Sequence, residues 1–516
     1  MTADSPHETI AAMTDGGERP CDPHEIVAGM IESDDETVFS GAERDTGAVD
    51  AENTSPRSWG FNVEEINRSY ALAIWGGKAV VINEQPSGPV NDRVRVMPFE
   101  SMNSWFANRF TEIEGSDGKV RPVTWAKAWH SHRDRRQYDG VEFFPNPDGA
   151  ASTPNYLNLW RGFSVTSSPA GSWRLFEDHL RVNVCRENPE LYRYLFGWMA
   201  HLVQKPRDRP GIALVLRGRK GTGKTKVGEV LGSLFAAHYF PVDDARYLTG
   251  QFNEHMSSCL LLQADEAMWA GDKAAEGRLK GLITSRIQMI ESKGVNSVRM
   301  ENRVHVIMTS NEDWVVPATG DERRFYVLDV GSHSERNNAY FAEMDKELDD
   351  GGRGRLLHDL LSFDLSQFDI WQVPTTRALL DQKLRSLDPI DDFVFNRIWE
   401  GSLIHGDETW RGFIPKSDLY AEYLKDTTRM GIGRKRSNAD FGKRLLKLIP
   451  GISDGRPSLE TSPGVVNRVW CYNMPSLEEC RAAFDKCMGQ PVDWPALSPG
   501  EGERAKMPSS DDSVPV

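Results

Sequence analysis

The residues with the most definite chemistry form a glycine-rich turn, GRKGTGKT. This spacing is that of a P-loop, in which backbone N–H groups hold phosphates, a lysine reaches the terminal phosphates and a hydroxyl binds Mg²⁺. Side chains at the second and third glycines are expected to crowd the anion. We predict that the turn binds ATP and Mg²⁺ through Gly218, Arg219, Lys220, Gly221, Thr222, Gly223, Lys224 and Thr225.

The elements around this turn favour a P-loop over a chance glycine turn. Residues 212–216 are largely apolar and predict a buried parallel strand. Apolar residues at helical spacing follow the turn between Val227 and Phe235. The N-terminus of that helix would direct its positive end towards the phosphates.

Two acidic residues follow a second apolar segment. Asp265 and Glu266 come shortly after Cys259–Leu262, where a parallel sheet brings acids to a nucleotide. One carboxylate is expected to hold the water shell of Mg²⁺, and the other to orient or deprotonate the attacking water. We assign Asp265, with Thr225, to the metal site and count both acids as catalytic.

Three further residues complete the predicted catalytic set. Asn311 ends a segment that begins with a strand at 304–308, where its amide can touch both the γ-phosphate and the attacking water. Arg323 and Arg324 precede a strand at 325–330, and an exposed guanidinium there can stabilise a phosphate bound to a neighbouring subunit. The sequence leaves open which arginine does so.

Two basic regions are candidate DNA contacts. The turn with Lys293, Asn296 and Arg299 predicts a loop that projects into a ring channel, with an ordinary basic hairpin as the alternative. Residues 412–473 hold 11 bases against 6 acids and predict a winged-helix-like domain, with a solvated helical cap as the alternative. The predicted contacts in the second region are Arg434, Lys435, Arg436, Lys443 and Arg444.

A third basic segment, WAKAWHSHRDRRQY, mixes aromatic and positive residues. Trp125, Trp129 and their arginine neighbours could bind phosphates and stacked bases. The alternative is a helix anchored by its tryptophans with a solvated basic face, and that alternative is slightly favoured. His130 and His132 alone do not make a metal site.

Charge does not exclude a nucleic-acid partner, although the 516 residues carry a net charge of −15. Residues 1–60 hold 14 acids against 3 bases, which leaves 57 acids and 56 bases in residues 61–489. The six cysteines lack a C-x-x-C pair, so neither a zinc knuckle nor a disulfide framework is expected. No leader or membrane span is predicted, which makes the cytoplasm the expected location.

The predicted organisation has five segments and an α/β fold class. The fold is expected to contain a P-loop ATPase core, an N-terminal α+β and helical module and a C-terminal winged-helix-like domain. The segments are an acidic disordered tail at 1–58, the N-terminal module at 59–205, the ATPase domain at 206–400, the basic domain at 401–490 and a flexible tail at 491–516.

The ordered motifs GRKGTGKT, LLLQADE, IESKG, MTSN and ERRF resemble those of superfamily 3 helicases, which are AAA+ related ring motors. The likeness is greatest to the helicase part of phage and prophage primase-helicases and primase-polymerases, and it covers about residues 60–490. It implies an ATP-driven, homohexameric DNA helicase that moves 3′ to 5′ on single-stranded or forked DNA.

The resemblance leaves alternatives from other classes. One is a P-loop kinase, which would give no role to Asn311 and the two arginines. Another is a loader or DNA-bound ATPase switch that does not unwind DNA. Larger family members carry an upstream primase or polymerase domain, and the first sixty residues here do not resemble one. We therefore expect no primase activity in this chain and a separate primase or polymerase as a partner.

Overall fold

The computed structural model describes residues 60–89, 93–114, 118–244, 250, 253–266, 273–291, 296–433 and 435–496. The expected acidic tail lies outside these residues, as do Lys293, Arg434 and the C-terminal tail beyond residue 496. Among the helices that are described, none combines the length and the apolar character needed to cross a membrane.

A four-stranded sheet with short helices on one face forms the N-terminal part. The strands of the sheet are β1 (Tyr70–Trp75), β2 (Lys78–Glu84), β3 (Val94–Met97) and β6 (Gln137–Tyr138). Two separate pairs are formed by β4 (Phe110–Glu114) with β5 (Val120–Thr124), and by β7 (Gly140–Glu142) with β8 (Tyr156–Asn158). The helices are α1 (Val63–Asn67), α2 (Phe99–Trp105) and α3 (Trp125–Ser131). The sheet has the order β3-β2-β1-β6, and β1 and β2 form a hairpin that turns at Gly76-Gly77.

The tryptophans of α3 are core residues and not a base-stacking surface. Trp125 and Trp129 are 4% and 0% exposed and pack with residues of α1, α2 and β2. Trp129 Nε1 donates a hydrogen bond to Asn67 Oδ1 at 2.8 Å. Arg136 lies 2.6 Å from the buried carboxylate of Glu84. The alternative of a tryptophan-anchored helix is therefore confirmed, because the rings have no free face for a base.

A five-stranded parallel sheet occupies the centre of the structure. Its strands are β9 (Ala213–Arg217), β10 (Tyr239–Val242), β11 (Leu261–Asp265), β14 (His305–Ser310) and β15 (Phe325–Asp329). Between β11 and β14 in the chain, β12 (Ile287–Ile290) and β13 (Val298–Glu301) form a separate hairpin. The order is β10-β11-β14-β9-β15. All five residues of β9 are buried, as its apolar sequence predicts. The carboxyl ends of all five strands consequently meet at one edge.

Helices cover this sheet and extend its core. They are α4 (Arg174–Asp178), α5 (Pro189–Gln204), α6 (Lys224–Ser233), α7 (Lys273–Thr284), α8 (Asn338–Glu347), α9 (Arg353–Ser362) and α10 (Arg377–Arg385), and a π-helical turn at His179–Val184 continues α4. Trp198 of α5 donates from Nε1 to Ile212 O at 3.2 Å, just before β9. Helix α5 thus belongs to the core of the central sheet, although we predicted it in the N-terminal module.

The C-terminal part alternates helices with short strands. Its elements are α11 (Pro389–Glu400), β16 (Phe413–Pro415), α12 (Lys416–Arg429), α13 (Asn438–Leu448), β17 (Ser453–Gly455), β18 (Ser458–Ser462), β19 (Val465–Arg468), β20 (Cys471–Asn473) and α14 (Leu477–Met488). Strands β16 and β17 both pair antiparallel with β20. Strands β18 and β19 form a separate hairpin.

The boundary of this C-terminal part lies earlier than predicted. Ile390, Phe393 and Ile398 of α11 pack with Tyr423 and Phe441 in a core that is distinct from the core of the central sheet. The division between the two cores falls within α10 and not at residue 400. The periodicity of α11 predicts an apolar face, but it contains no information about which core that face joins.

Candidate active site

The predicted P-loop connects β9 to α6 at the carboxyl edge of the central sheet. Gly221 and Gly223 have φ values of 77° and 84°, in the left-handed region that favours glycine. Thr222 Oγ1 donates to Arg219 O at 2.9 Å and stabilises the turn. Helix α6 begins at Lys224, so the positive end of its dipole lies next to the turn.

Neighbouring residues of the protein explain why glycine is needed at these two positions, which the sequence did not suggest. A Cβ on Gly223 would lie 2.6 Å from the ring of His179 and 2.7 Å from the ring of Phe341. A Cβ on Gly221 would lie 3.3 Å from Arg336. We expected a side chain to crowd the anion, whereas the structure shows that it would first meet the protein.

Lys224 contacts the loop and the neighbouring strand. Its Nζ donates to Gly218 O at 2.8 Å, to Arg219 O at 2.7 Å and to Asn311 Oδ1 at 2.9 Å. Burial lowers the pKa of this lysine, and the charges of Asp265 and Glu266 oppose that shift. All three ammonium donors are therefore directed within the site, where phosphate oxygens can compete for them.

The two acids lie at the end of β11, next to the P-loop. Thr225 Oγ1 donates to Asp265 Oδ2 at 3.0 Å, so the two residues assigned to Mg²⁺ are neighbours. Thr309 Oγ1 donates to the other oxygen of Asp265. Glu266 has a φ of 51°, an uncommon conformation for a residue with a Cβ, and its N–H donates to Thr309 O at 2.9 Å. The hydroxyls of Thr225 and Thr309 thus orient the Asp265 carboxylate, and β14 holds the backbone of Glu266.

Asn311 connects the lysine with the second acid. It follows β14, the strand between β11 and β9, and this position places it between Glu266 and Lys224. Its Oδ1 accepts from Lys224 and its Nδ2 donates to Glu266 Oε1. The structure therefore brings together the residues that the sequence places on three separate segments.

A cavity of about 720 Å³ adjoins these residues. Beyond the predicted set, its lining includes Lys226, Glu229, Arg336, Asn338 and Phe341. Arg336 has a φ of 58°, and its N–H donates to Gly221 O at 3.0 Å. Sequence reasoning missed Arg336, since it lies more than a hundred residues from the P-loop and belongs to no motif.

A buried histidine supports the same loop. His179 is fully buried, and its Nε2 donates to Gly223 O at 3.3 Å. Its Nδ1 accepts from Asn183 Nδ2 at 3.1 Å, and Asn183 also contacts Ser334 Oγ at 2.6 Å. Burial lowers the pKa of His179 to about 4, so the ring is neutral at physiological pH. The P-loop is thereby connected to the segment that carries Arg336.

The donor set of the cavity fits a magnesium-bound nucleoside triphosphate. Lys220, Lys224 and Arg336 supply positive charge for phosphates, and Phe341 supplies an aromatic surface. Among the described residues, no group of three or more His, Cys, Asp or Glu side chains could hold a metal by itself. The Thr225 and Asp265 oxygens would bind Mg²⁺ together with phosphate oxygens and water. Arg219, 80% exposed, points to Glu335 at 3.8 Å.

Arg323 and Arg324 lie at the opposite, amino edge of the central sheet. Arg324 O accepts from Ala213 N, at the start of β9, at 2.7 Å. The length of β9, on the order of 15 Å, separates these arginines from the P-loop of their own chain. Arg323 is exposed, and the Arg324 side chain is 32% exposed with its Nε 3.4 Å from the buried Glu322 carboxylate.

The two arginines open onto a basic cleft of about 1060 Å³. Some of its other arginines are used internally: Arg207 binds Asp148 at 2.6 Å, and Arg209 donates to backbone carbonyls such as Leu282 O at 2.7 Å. Arg286 is exposed in the same cleft beside Trp371, which is 70% exposed. The cleft is therefore a surface able to receive an anionic group from outside this chain.

The predicted channel hairpin contacts the N-terminal sheet. Lys293 lies outside the described residues, and Arg299 is exposed on β13. Asn296 Nδ2 donates to Gly76 O at 3.2 Å, in the β1–β2 turn. Asn296 thus has an intramolecular partner in place of the expected DNA contact.

The basic residues of the C-terminal part divide into two groups. Lys435, Arg436 and Lys443 are exposed, although Lys435 Nζ donates to Thr428 Oγ1 at 2.6 Å. Arg444 instead forms a two-pronged ion pair with the buried Asp391 of α11, with one contact at 2.6 Å. We therefore remove Arg444 from the proposed DNA contacts, because its guanidinium connects two helices.

Comparisons with known proteins match the region of the site and the fold around it. A family model described as a family of unknown function (DUF5906) matches residues 216–324. The DNA primase-polymerase of Nitratiruptor phage NrS-1 is 25% identical over 204 residues, which are 39% of this chain and 28% of that protein. The match thus spans less than a third of that relative's length.

Solved structures of the C-terminal region of the NrS-1 protein share the fold of this chain. One apo structure has a TM-score of 0.55 at 16% identity and covers 81% of this chain and 99% of that one. A second, the A form, also has a TM-score of 0.55 and covers 79% of this chain and 96% of that one. Both are apo structures.

Proposed function

We propose that this chain is an ATP-driven DNA helicase of the superfamily 3 type that acts in phage DNA replication. The observation that carries the proposal is the division of the catalytic residues between two edges of one sheet. Lys224, Asp265 and Asn311 lie at the carboxyl edge, whereas Arg323 and Arg324 lie at the amino edge. A nucleotide would need two copies of the chain to meet both groups.

The fold supports an AAA+ related core and a winged-helix-like domain. Strand β14 lies between β9 and β11, so a sensor residue adjoins both the P-loop and the acids. In the C-terminal part, α12 and α13 pack beside the three-stranded sheet and the β18–β19 hairpin extends from it. Helix α13 and the hairpin are the elements that such a domain presents to DNA.

The residues would divide the hydrolysis of ATP between them. Lys224 and the P-loop amides bind the phosphates, and Thr225 with Asp265 holds Mg²⁺, which neutralises charge on the terminal phosphates when bound. Glu266 orients and deprotonates the attacking water, and Asn311 holds the Glu266 carboxylate in place. The low exposure of Lys224, 6%, limits competition from solvent.

The position of the catalytic residues and of the two arginines at opposite edges of the sheet favours a closed homo-oligomeric ring. A head-to-tail interface repeats until rotation closes it, and each interface would hold one nucleotide. Arg323 is the better candidate for the residue that acts on the neighbouring nucleotide, since Arg324 already adjoins Glu322. We keep the hexamer as the proposed assembly, following the resemblance.

The comparisons support DNA as the polymer and phage replication as the setting. The relative is named a DNA primase-polymerase, and the structural likeness is to its C-terminal region. We propose that this chain performs the motor function and that a separate primase or polymerase works with it.

A subunit-mixing experiment tests the shared site. Lys224→Ala and the double variant Arg323→Ala/Arg324→Ala should each lose DNA-stimulated ATP hydrolysis. An equal mixture should regain activity, because about one interface in four combines an intact P-loop with intact arginines. Arg133→Ala, a change of an arginine whose side chain is 91% exposed, serves as the matched control and should keep full activity.

The outcome of mixing decides between a shared and a self-contained site. No recovery in a mixture that still forms mixed oligomers would contradict the proposal. Displacement of one strand from a forked DNA then separates a helicase from a loader or switch. Hydrolysis stimulated by DNA without displacement would favour the switch.

A further inference from the structure

A tryptophan at the base of the β18–β19 hairpin is held in an exposed position by two cations. Trp470 is 53% exposed. Lys416 Nζ lies 5.7 Å and Arg456 Cζ 5.4 Å from the centre of its ring. The carbonyl of Trp470 also accepts from Lys416 N at 2.9 Å, which fixes the backbone beside α12. The ring is thus positioned by the protein while about half of its surface faces solvent.

Two arginines near this ring lack a carboxylate partner among the described residues. Within the described residues, neither Arg456 nor Arg468 has a carboxylate partner, and Arg468 is exposed. Lys416 is paired with Asp454 at 2.7 Å. Asp418 of α12 is also near, since burial and then the charge of Asp418 raise the pKa of Cys471, the residue after Trp470. Asp418 accepts from Ser417 Oγ at 2.9 Å, and Glu460 accepts the N–H of Gly464 at 2.7 Å within the hairpin. Two arginines therefore remain available to an anionic partner.

The ring is also continuous with the predicted DNA contacts. Lys416 and Tyr420 are one turn apart on the same face of α12. Tyr420 OH donates to Arg436 O at 2.9 Å, which places the exposed Arg436 along that face. Trp470, Lys416 and Arg436, with the two arginines near the ring, Arg456 and Arg468, consequently form one strip, which we call the Trp470 strip.

We propose that Trp470 is a stacking platform for an unpaired base of a DNA strand, and that the Trp470 strip binds the phosphates on either side of that base. The proposal rests on the proposed DNA binding of this chain and adds a site for one unpaired base, outside the proposed ATP site. An aromatic ring with an open face stacks any base, and flanking cations neutralise the backbone. A protein partner is less favoured, because the unpaired charges beside the ring are positive.

A double-mutant cycle between ring and base tests this inference. Binding of the full chain to oligothymidine and to an abasic strand of equal length is measured by fluorescence anisotropy without nucleotide. Trp470→Ala should weaken binding to oligothymidine about tenfold, as expected for one stacked base. It should leave binding to the abasic strand unchanged. Trp470→Phe should retain most of the affinity, and Trp470→Leu should not.

Trp105→Ala is the matched control, since Trp105 is 74% exposed in the N-terminal part and should not change binding. Equal losses on both strands, or no loss on either, would overturn the inference. Those outcomes leave the helicase proposal intact, because the unsubstituted chain still binds oligothymidine. If the unsubstituted chain binds neither strand, the DNA-binding part of the proposed function fails as well.

Discussion

Asn311 is the residue on which the proposed chemistry depends most directly. It accepts from Lys224 at 2.9 Å and donates to Glu266, so it controls the distance between the phosphate-binding ammonium and the proposed base. We expect Asn311→Ala to lower the turnover of ATP by about 100-fold through misplacement of Glu266. A fluorescent ATP analogue should still bind with little change in affinity, because the P-loop amides remain.

Asn338 provides a control in the same cavity. It lines the same cavity, and among the described residues its side chain forms no hydrogen bond with Lys224 or Glu266. Asn338→Ala should therefore leave turnover near its normal value. If Asn311→Ala abolishes nucleotide binding and turnover together, Asn311 stabilises the P-loop and does not act by positioning Glu266 and the attacking water.

Among individual residues, the sequence predicts those that belong to a motif with a fixed spacing beside an apolar strand. The P-loop and the acid pair have fixed spacings and adjoining apolar strands, and the structure places them together. His179 and Arg336 were not found, because each reaches the P-loop from a distant segment that carries no motif. The reason given for Gly223 was also incomplete, since the limiting contact is the buried ring of His179.

The β1–β2 and β12–β13 hairpins meet at Gly76. A Cβ on Gly76 would lie 2.9 Å from Asn296 Cβ, whereas a Cβ on Gly77 would meet nothing within 4 Å. Both glycines have positive φ, at 55° and 78°. The comparison of Gly76→Ala with Gly77→Ala therefore separates the contact from backbone strain.

We expect Gly76→Ala to lower the thermal unfolding midpoint more than Gly77→Ala does. Both substitutions cost roughly 1 kcal/mol in the left-handed turn, and only the first also displaces the β12–β13 hairpin. Differential scanning fluorimetry gives the midpoints, and DNA-stimulated ATP hydrolysis shows whether the hairpin contact is used. Equal effects of the two substitutions would show that the contact contributes nothing.

Neighbouring residues of α13 should behave differently on substitution. Arg444 neutralises Asp391, which is 5% exposed, and its removal leaves a buried charge without a partner. Arg444→Ala should destabilise the C-terminal part by about 3 kcal/mol, and Asp391→Asn in the same chain should restore part of that loss. Lys443→Ala should weaken DNA binding in low salt without a change in stability.

Urea unfolding and DNA titration at two salt concentrations distinguish these effects. A stable Arg444→Ala variant with weakened DNA binding would return Arg444 to the set of DNA contacts.

The sequence predicts single helices and strands more reliably than it predicts which of them pack together. The strand before the P-loop and the helix after it follow from local patterns, and the structure has both as β9 and α6. Helix α11 was assigned to the ATPase domain, although its apolar face packs with α12 and α13. Periodicity identifies a buried face, but the partner of that face depends on contacts far away in the chain.

At the scale of the whole molecule, the fold determines where the exposed positive charges lie. The folded part is nearly neutral, yet exposed arginines concentrate at the amino edge of the sheet and along the Trp470 strip. Spacing along the chain could indicate that Arg323 and Arg324 are exposed. It could not show that they lie a full strand length from their own P-loop, which is the geometry that favours a shared site.

Four buried histidines should make the whole fold sensitive to acid. Burial lowers the pKa of His179, His201 and His238 to about 4 and that of His305 to about 3. All four are at most 6% exposed, and His238 Nε2 accepts the Arg161 N–H at 2.8 Å, which requires a neutral ring. Below a pH of about 6.5 the unfolded chain binds protons that the folded chain refuses.

Stability should therefore be complete above about pH 6.5 and fall as the pH approaches 4, by roughly 2 kcal/mol for each histidine between pH 7 and pH 5. Urea unfolding at these two pH values measures the loss. His201→Gln should make the pH dependence shallower by one proton, because it removes one of the four rings. His333→Gln, a change of an exposed histidine, should leave the dependence unaltered. Equal stability at the two pH values would show that the buried rings accept protons without unfolding.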